Sequence, residues 1–593
     1  MFHQLLAPVG GNLFLSFLVG FLPILVVLVL LGVVRLPAWQ AALAGLVIGL
    51  IIAVAVWQMP VGLAASSTLN GVAFALFPVM WIVWNAMWLY NIAVRSGKFD
   101  LFRRWMVYNV PADRRILLLI VGFSFGALME GIAGFGTPVA ICSALLIGLG
   151  FPVLDALVIT LIFNTTPVAF GALGVPITTL ASVTNLHAGL LSAMVGRQLP
   201  FFGLLLPFYA LAIFTGFRSL RTAWPVALVA GVSFAVTQFT VSNFVGPELP
   251  DVLAALISLI CVIGFVQVWK PRDVEQYSAN FATATSGAEL STRAARADTL
   301  SAPTALSFAG APGSSDAFEK VDAPDIGEED IPVPVATNAP LAGGKPTASE
   351  AVLAWLPWIL VSVIVILWTF GKVALAGQQL IHWPNLDKAV YLTLYGKPYT
   401  AVYTFQPLGT GTAILLSVVL TWLVVVLTGT SPAVILSALA DTWKQLRFAI
   451  LTVMLIIGLA YLFNYSGMSY TLGLAISKVG AIFPFFSVFL GWIACFLSGS
   501  DTSSNALFGN LQVVAARQLN LSPVLMAATN SSGAVMSKMI SPQNVTTGVS
   551  TTNLVGKEGL VIRRTFIHSI ILACLLGLLV MAQQYLFPGI IPH

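Results

Sequence analysis

The sequence predicts an all-α polytopic membrane protein. It should consist of two inverted-topology halves of transmembrane helices, with discontinuous helices or re-entrant hairpins at the midplane. Three observations predict this. Of 593 residues, 58% are hydrophobic and 8% are charged, against about 25% charged in an ordinary globular chain. Apolar runs close to the roughly 20 residues needed to span a bilayer recur along the chain. Twelve of the 22 acidic residues fall between 271 and 350, which leaves the rest of the chain nearly free of negative charge.

The first half, residues 1–270, carries apolar runs at Leu13–Val34, Ala38–Trp57, Gly71–Val94, Ile116–Met129, Val139–Gly150, Leu157–Leu173, Phe201–Phe217, Trp224–Val241 and Val252–Trp269. No Lys or Arg precedes Arg35, so the first run reads as a retained helix and not as a cleavable signal with a basic leader. The loop from Arg95 to Arg115 holds six Lys or Arg, which places it in the cytoplasm and the N-terminus outside. Arg218, Arg221, Lys270 and Arg272 fit the same register. Residues 271–350 are acidic and rich in Ser, Ala and Pro, and read as a disordered cytoplasmic linker. The second half, 351–593, then starts inside, with runs at Val352–Phe370, Thr410–Leu427, Phe448–Phe463, Phe485–Leu497, Val524–Met539 and Thr565–Leu586. Counterpart spans of the two halves run in opposite senses, the arrangement of inverted-repeat secondary transporters.

Each half contains a pair of polar, helix-breaking stretches. In the first they are Glu130-Gly-Ile-Ala-Gly-Phe-Gly-Thr-Pro138 and Asn164-Thr-Thr-Pro167. In the second they are Ser498-Gly-Ser-Asp-Thr-Ser-Ser-Asn505 and Thr529-Asn-Ser-Ser-Gly533, the latter followed by Ser541-Pro-Gln-Asn544. Unwound backbone at membrane depth is tolerated only where it lines a cavity or is buried in protein. The resumed half-helices offer free N–H groups and a positive dipole end, which suit a carboxylate. Hydroxyl and amide side chains beside them can read further oxygens. The candidate binding residues are therefore Gly134, Gly136, Asn164, Thr165, Thr166, Ser503, Ser504, Asn505, Asn530, Ser531, Ser532, Lys538 and Gln543. The competing reading is close helix packing through small residues; matched pairs in both halves favour a site.

Glu130 and Asp501, one per half, sit at breaks. A charge at mid-membrane costs at least about 2.5–3.5 kcal/mol, so such groups usually face a pathway. Both are candidate proton carriers, against the blander roles of helix cap or salt-bridge partner of Lys538. Lys538 is either the counter-charge of an anionic substrate or the partner of Asp501. Asp155 is expected to cap the next helix, and Glu248 and Asp251, beside Pro247 and Pro250, to be solvated in an outer loop. Arg197 reads as an interface anchor, with anion steering as the alternative.

Composition and spacing also exclude function classes. The four Cys form no CxxC pair, and His187, His382 and His568 lack ligand spacing, so no metal and no cofactor are expected. No P-loop or nucleotide fingerprint appears, nor a GxSxG elbow, and an intramembrane aspartyl protease would need a second apposed Asp. An enzyme is not expected. The net charge of +5 reports orientation, and no nucleic-acid partner is implied.

At these motifs the chain resembles the bacterial lactate permease family, which includes the glycolate permeases. The resemblance rests on Glu130-Gly-Ile-Ala-Gly-Phe-Gly136, Asn164-Thr-Thr-Pro-Val-Ala-Phe-Gly171, Gly196-Arg-Gln-Leu-Pro200 and Asn243-Phe-Val-Gly-Pro-Glu-Leu-Pro-Asp251. It continues in Thr410-Gly-Thr-Ala413, Asn464-Tyr-Ser-Gly467, Gly499-Ser-Asp-Thr-Ser-Ser-Asn-Ala-Leu-Phe508 and Lys538-Met-Ile-Ser-Pro-Gln543. It covers nearly the whole chain outside 271–350, a linker longer than the family leads one to expect. It implies uptake of a small 2-hydroxy monocarboxylate, L-lactate and with it D-lactate and glycolate, coupled to protons across the inner membrane. It also implies kinship with the ion-transporter superfamily, whose divalent anion–sodium symporters use Ser-Asn-Thr motifs at hairpin tips and an elevator movement. Asn164-Thr-Thr166 and Asn530-Ser-Ser532 look like the analogous elements. Sodium coupling is the alternative within transport, and a membrane sensor for a small carboxylate the alternative outside it. A homodimer is admitted by this architecture but not required.

Overall fold

The computed structural model describes residues 1–593 apart from 33, 35, 110, 112, 133, 135, 136, 150, 274–276, 278–343, 550, 551, 553, 555 and 556. Most of the expected 271–350 linker, and the candidate Gly136, therefore lie outside the described residues.

Two helices open the chain, α1 (Leu13–Gly32) and α2 (Ala38–Ala55), apolar on all sides. Phe14, Leu18, Leu22 and Leu25 of α1 are exposed, the surface that a hydrocarbon solvent and not water would cover. The third span, α3 (Val61–Arg95), begins well before the expected Gly71 and runs 35 residues. A short helix that the sequence reading did not list, α4 (Lys98–Tyr108), follows; its Phe102 and Trp105 pack edge-on against Trp355. Then come α5 (Arg114–Ile132), α6 (Thr137–Gly148), α7 (Val153–Phe163) and α8 (Gly171–Thr184). Three long spans complete the first half: α9 (Ala188–Phe214), α10 (Phe217–Phe244) and α11 (Pro250–Val268).

The second half holds α12 (Ala348–Phe370), α13 (Thr410–Leu427), α14 (Val434–Ser466) and α15 (Met468–Ile476). It continues with α16 (Phe483–Ser498), α17 (Asp501–Gln518), α18 (Pro523–Ser537), α19 (Pro542–Val549) and α20 (Glu558–Tyr585). Among the described residues, twelve helices are long and apolar enough to cross a membrane. The apolar run over Leu157–Leu173 is broken where Asn164-Thr-Thr-Pro167 led one to expect: Val153–Phe163 and Val168–Thr184 form a pair bent by 62°.

The helices pack as two groups. One contains α1–α4 with α12–α15; the other contains α5–α11 with α16–α20. They meet where α3, α14 and α15 touch α8 and α17, where α1 touches α16, and where Phe99 and Phe102 of α4 meet Phe125 of α5. Polar bonds cross this seam: Asn464 Nδ2 donates to the Val183 carbonyl at 2.8 Å and its Oδ1 accepts from Asn510 Nδ2 at 2.8 Å, while Ser182 bonds the Tyr461 hydroxyl.

Between α12 and α13 the chain forms a small β cap. The N-terminal β1 (Phe2–His3) and four strands from this segment, β2 (Gln379–His382), β3 (Val390–Leu392), β4 (Lys397–Pro398) and β5 (Val402–Phe405), make two sheets. Their orders are β1-β3-β4, with β1 parallel to β3, and antiparallel β2-β5. Within the cap, Asp387 accepts from His382 Nδ1 at 2.8 Å and from the Ala401 N–H at 2.9 Å. Desolvation opposes its ionisation, but the His382 bond, the Ala401 bond and the nearby positive charges together hold its carboxyl below the usual value. A folded-state pKa that is depressed adds stability above the unfolded pKa and loses it as pH falls through the folded one. The cap is thus expected to loosen on acidification below the ordinary Asp range near 3.9. Hydrogen exchange of the β2 and β5 amides against pH checks this; an Asp387→Asn protein should show no such step.

Candidate functional site

In each half a helical hairpin is followed by a broken helix. The hairpins are α5–α6, the first ending at Ile132 and the second starting at Thr137, and α16–α17, turning at Gly499-Ser500. The second turn has a visible local cause. Gly499 sits at φ +69, and a Cβ there would lie 2.4 Å from Gln543 Oε1, so only glycine fits. Ser500 then caps α17, its hydroxyl accepting from the Ser503 N–H at 3.2 Å. Gln543, a candidate binding residue, is thereby held against the hairpin tip.

The broken helices are α7/α8 and α18/α19. After Phe163 the chain leaves α-helical geometry through Asn164–Pro167, and Ala172, Leu173 and Gly174 have left-handed backbone at φ 45, 56 and 79. Gly174 presses on the next loop, where a Cβ would meet the Pro247 carbonyl oxygen at 2.4 Å. In the other pair, α18 ends at Ser537, Lys538–Ile540 make one 3-10 turn, and α19 begins at Pro542. Here the structure corrects the sequence reading: Thr529-Asn-Ser-Ser-Gly533 is no break but lies inside continuous α18. Thr529, Asn530 and Ser531 find partners without unwinding the backbone. Thr529 bonds back to the Leu525 carbonyl at 2.7 Å, and Gly533 is there because α16 packs so close that a Cβ would meet the Val488 carbonyl at 2.3 Å. The break in this segment is at Lys538.

The central ion pair joins the halves. Lys538 Nζ lies 2.6 Å from Glu130 Oε1, with side chains 7% and 2% exposed. Lys538 thus pairs with Glu130, not with Asp501 as one of the two sequence readings had it. Gly171 makes room for the carboxylate, since a Cβ there would be 3.0 Å from Glu130 Oε1. Asp501 instead accepts from the Ser531 hydroxyl at 2.6 Å. It remains within electrostatic range of both Lys538 and Glu130.

A second correction concerns Asp251. It is fully buried in the first turn of α11 and not solvated. Gln238 Nε2 donates to its Oδ1 at 3.0 Å and to the Thr166 carbonyl in the break at 3.2 Å. Glu248, by contrast, is partly exposed. Asp155 lies in the first turn of α7, but its side chain makes no cap; Pro152 occupies that position. Arg197 bonds Asn243 Oδ1 at 2.8 Å and the Ile590 carbonyl, which ties it to the end of the chain.

The candidate side chains divide by how their hydrogen-bonding capacity is used. Asn530, Asn505 and Ser504 are committed to one another and to backbone. Asn530 Nδ2 donates to Asn505 Oδ1 at 2.9 Å, and its Oδ1 accepts from Gln512 Nε2 at 2.8 Å. Asn505 Nδ2 donates to the Pro176 carbonyl at 3.1 Å and to Ser531 Oγ at 3.2 Å, and Ser504 Oγ to the Gly491 carbonyl at 3.1 Å. This net stitches α17 and α18 to broken α8. An Asn530→Ala protein should lose roughly 1–3 kcal/mol of stability, the cost of leaving buried amides unpaired. A lowered melting temperature of the detergent-purified protein checks it.

Other buried polar atoms have no partner: both side-chain ends of Asn164, the hydroxyls of Thr165, Thr166 and Ser532, Glu130 Oε2, Asp251 Oδ2 and Asp501 Oδ1. Buried polar groups are nearly always satisfied, so these atoms keep hydrogen-bonding capacity for a polar guest or water. Gly134 holds a positive φ of 58, with Ala172 against it. Ser503 is buried beside Asp501 at the start of α17. Among the described residues no group of three or more His, Cys, Asp or Glu could hold a metal ion.

Sequence reasoning missed Asp251 and Gln238. Pro250-Asp251 was read as a loop because prolines flank it; yet Pro at the first helical position followed by an apolar run is a helix-start signal. Gln238 lies inside an apolar run, where an amide has no water to satisfy it, and that signal was available.

A model of the L-lactate permease family matches residues 16–308 and 335–587. The chain is 39% identical over 607 residues to the glycolate permease GlcA of Escherichia coli (strain K12), covering 99% of each. It is 38% identical to the L-lactate permease of Bacillus subtilis (strain 168), again over 99% of each, and 37% identical to the L-lactate permease of Escherichia coli (strain K12) over 98% of each.

Proposed function

The chain belongs to the L-lactate permease family, and from that premise we propose that it imports L-lactate, with D-lactate and glycolate, by symport with protons across the bacterial inner membrane. The observation that carries the reading is the buried Lys538–Glu130 pair, one cation among three carboxylates, beside the unpartnered atoms of Asn164–Thr166. An incoming carboxylate has one buried ammonium to bind, and binding it strips Glu130 of its counter-ion. A proton on Glu130 compensates. The loss of that proton inside restores the pair and releases the substrate.

Energetics favour an accompanying proton. A lone anion moving into a negative interior costs about 2.3 kcal/mol per 100 mV, roughly fifty-fold in the equilibrium. One proton cancels that charge and adds the pH gradient. In this reading the free N–H groups at the starts of α6, α17 and α19 face the carboxylate, and Asn164, Thr165, Thr166, Ser503 and Ser532 read the 2-hydroxyl. Asp501 is a further proton site.

The reading extends to movement and placement. The halves act as inverted repeats, with the N-terminus outside and residues 271–350 in the cytoplasm, and the group containing both hairpins slides as an elevator against the other. The test is uptake by purified protein in liposomes under an imposed pH gradient, with lactate, glycolate, pyruvate and acetate compared, with and without sodium. Lactate accumulation that follows pH and ignores sodium supports the proposal. Accumulation that requires sodium replaces proton with sodium coupling. Deleting residues 278–343 should spare uptake; its loss would favour a sensor that signals through the linker.

A further inference from the structure

Asp251 stands beside the ion pair with unused capacity. One oxygen accepts from Gln238, and Oδ2 has no partner. The start of α11 presses on Gly131, where a Cβ would lie 3.1 Å from Asp251 Cβ; a side chain at 131 would push Asp251 away from the residue next to Glu130. The charged groups that face Asp251 are Glu130 from α5 and Lys538 from the turn after α18. The other elements packed on it contribute the uncharged Gln238 from α10 and, from α8, no titratable side chain. Glu130 likewise leaves Oε2 unpartnered. Two buried carboxylates thus each keep one oxygen free beside a single ammonium.

We propose that Asp251 is the second carboxylate of the coupling site, sharing one proton with Glu130 whenever the substrate carboxylate holds Lys538. This rests on the proton-symport reading above. Charge counting is compatible with it, as with any exchange of one anion and one proton at the site. Empty, the trio of Glu130, Asp251 and Lys538 sums to −1. Loaded with a monocarboxylate and one proton, it again sums to −1, so the site crosses the membrane with the same charge in both directions. Without Asp251, the loaded trio would have no second carboxylate to share the proton. In the loaded state two carboxylates face each other with their cation engaged elsewhere, the arrangement in which like charges at low dielectric bind one proton between them. The proton comes from external water, forms an O–H on one carboxyl that donates to the other, and leaves to internal water as Lys538 returns. Gln238, bonded at once to Asp251 and to the Thr166 carbonyl, positions the acceptor relative to the break.

The experiment uses the full-length chain in liposomes and reads two activities: labelled L-lactate exchange without a gradient, and accumulation driven by an inside-alkaline gradient. Wild type should accumulate about tenfold per pH unit. Asp251→Asn should reduce that ratio to about one, while exchange persists at a lower rate. An Asp251→Asn protein that accumulates like wild type overturns the proposal, as does a folded one that loses exchange together with accumulation. If the Asn variant does not fold, Asp251→Glu decides: a displaced midpoint in the uptake–pH curve supports the proposal and an unmoved one overturns it. A wild type that fails to follow the pH gradient sinks the symport reading itself, which keeps the two failures apart.

Discussion

Glu130→Gln is expected to abolish pH-driven accumulation: from about tenfold per pH unit, the ratio should fall to about one, while labelled lactate still exchanges across the membrane. The glutamine keeps the shape and an acceptor oxygen for Lys538 but can take no proton at any useful pH. The pair at 2.6 Å is buried on both sides, so the substitution removes a charge from a place where water cannot replace it. Uptake in proteoliposomes measured against imposed gradients of different size gives the result directly. A Glu130→Gln protein whose lactate ratio still tracks the gradient would remove Glu130 from the coupling step.

Lys538→Met is expected to produce the second large effect, a fall of at least about 100-fold in kcat/KM for lactate, or about 2.7 kcal/mol of transition-state stabilisation. The same change should also destabilise the fold by about 3–5 kcal/mol, because Glu130 is left as a buried, uncompensated charge. The two consequences can be separated. In the Glu130→Gln/Lys538→Met double variant no buried charge of the pair remains, so the melting temperature should recover toward wild type while transport stays absent. Recovery of transport in the double variant would mean that the pair only holds the halves together.

Much of the architecture could be read locally. The hairpin turn at Gly499-Ser500 and the break at Asn164–Pro167 are written in residues whose backbone preferences act over one turn. The α18 stretch shows the limit of that reading. Thr529-Asn-Ser-Ser-Gly533 carries every helix-breaking residue type except proline, yet stays helical, because α17 supplies partners for Asn530 and Ser531, Thr529 bonds back to its own helix, and α16 packs so close that only glycine fits at 533. The β cap escaped for a related reason: its strands are two to four residues long, too short for an alternating pattern to stand out, and β1 comes from the other end of the chain.

By itself the amino-acid order determined the solvent, since so little charge and so much apolar surface admit only lipid around most of the chain, and it determined the breaks at Asn164–Pro167 and Gly499-Ser500 though not the helicity of 529–533. Only the tertiary structure decided which carboxylate holds Lys538, a residue 408 positions from Glu130, and that Asp251 lies buried beside them. The physical reason is range. Hydrophobicity and backbone preference are properties of a residue and its near neighbours, whereas the partner of a buried charge is set by packing between helices that no local stretch encodes.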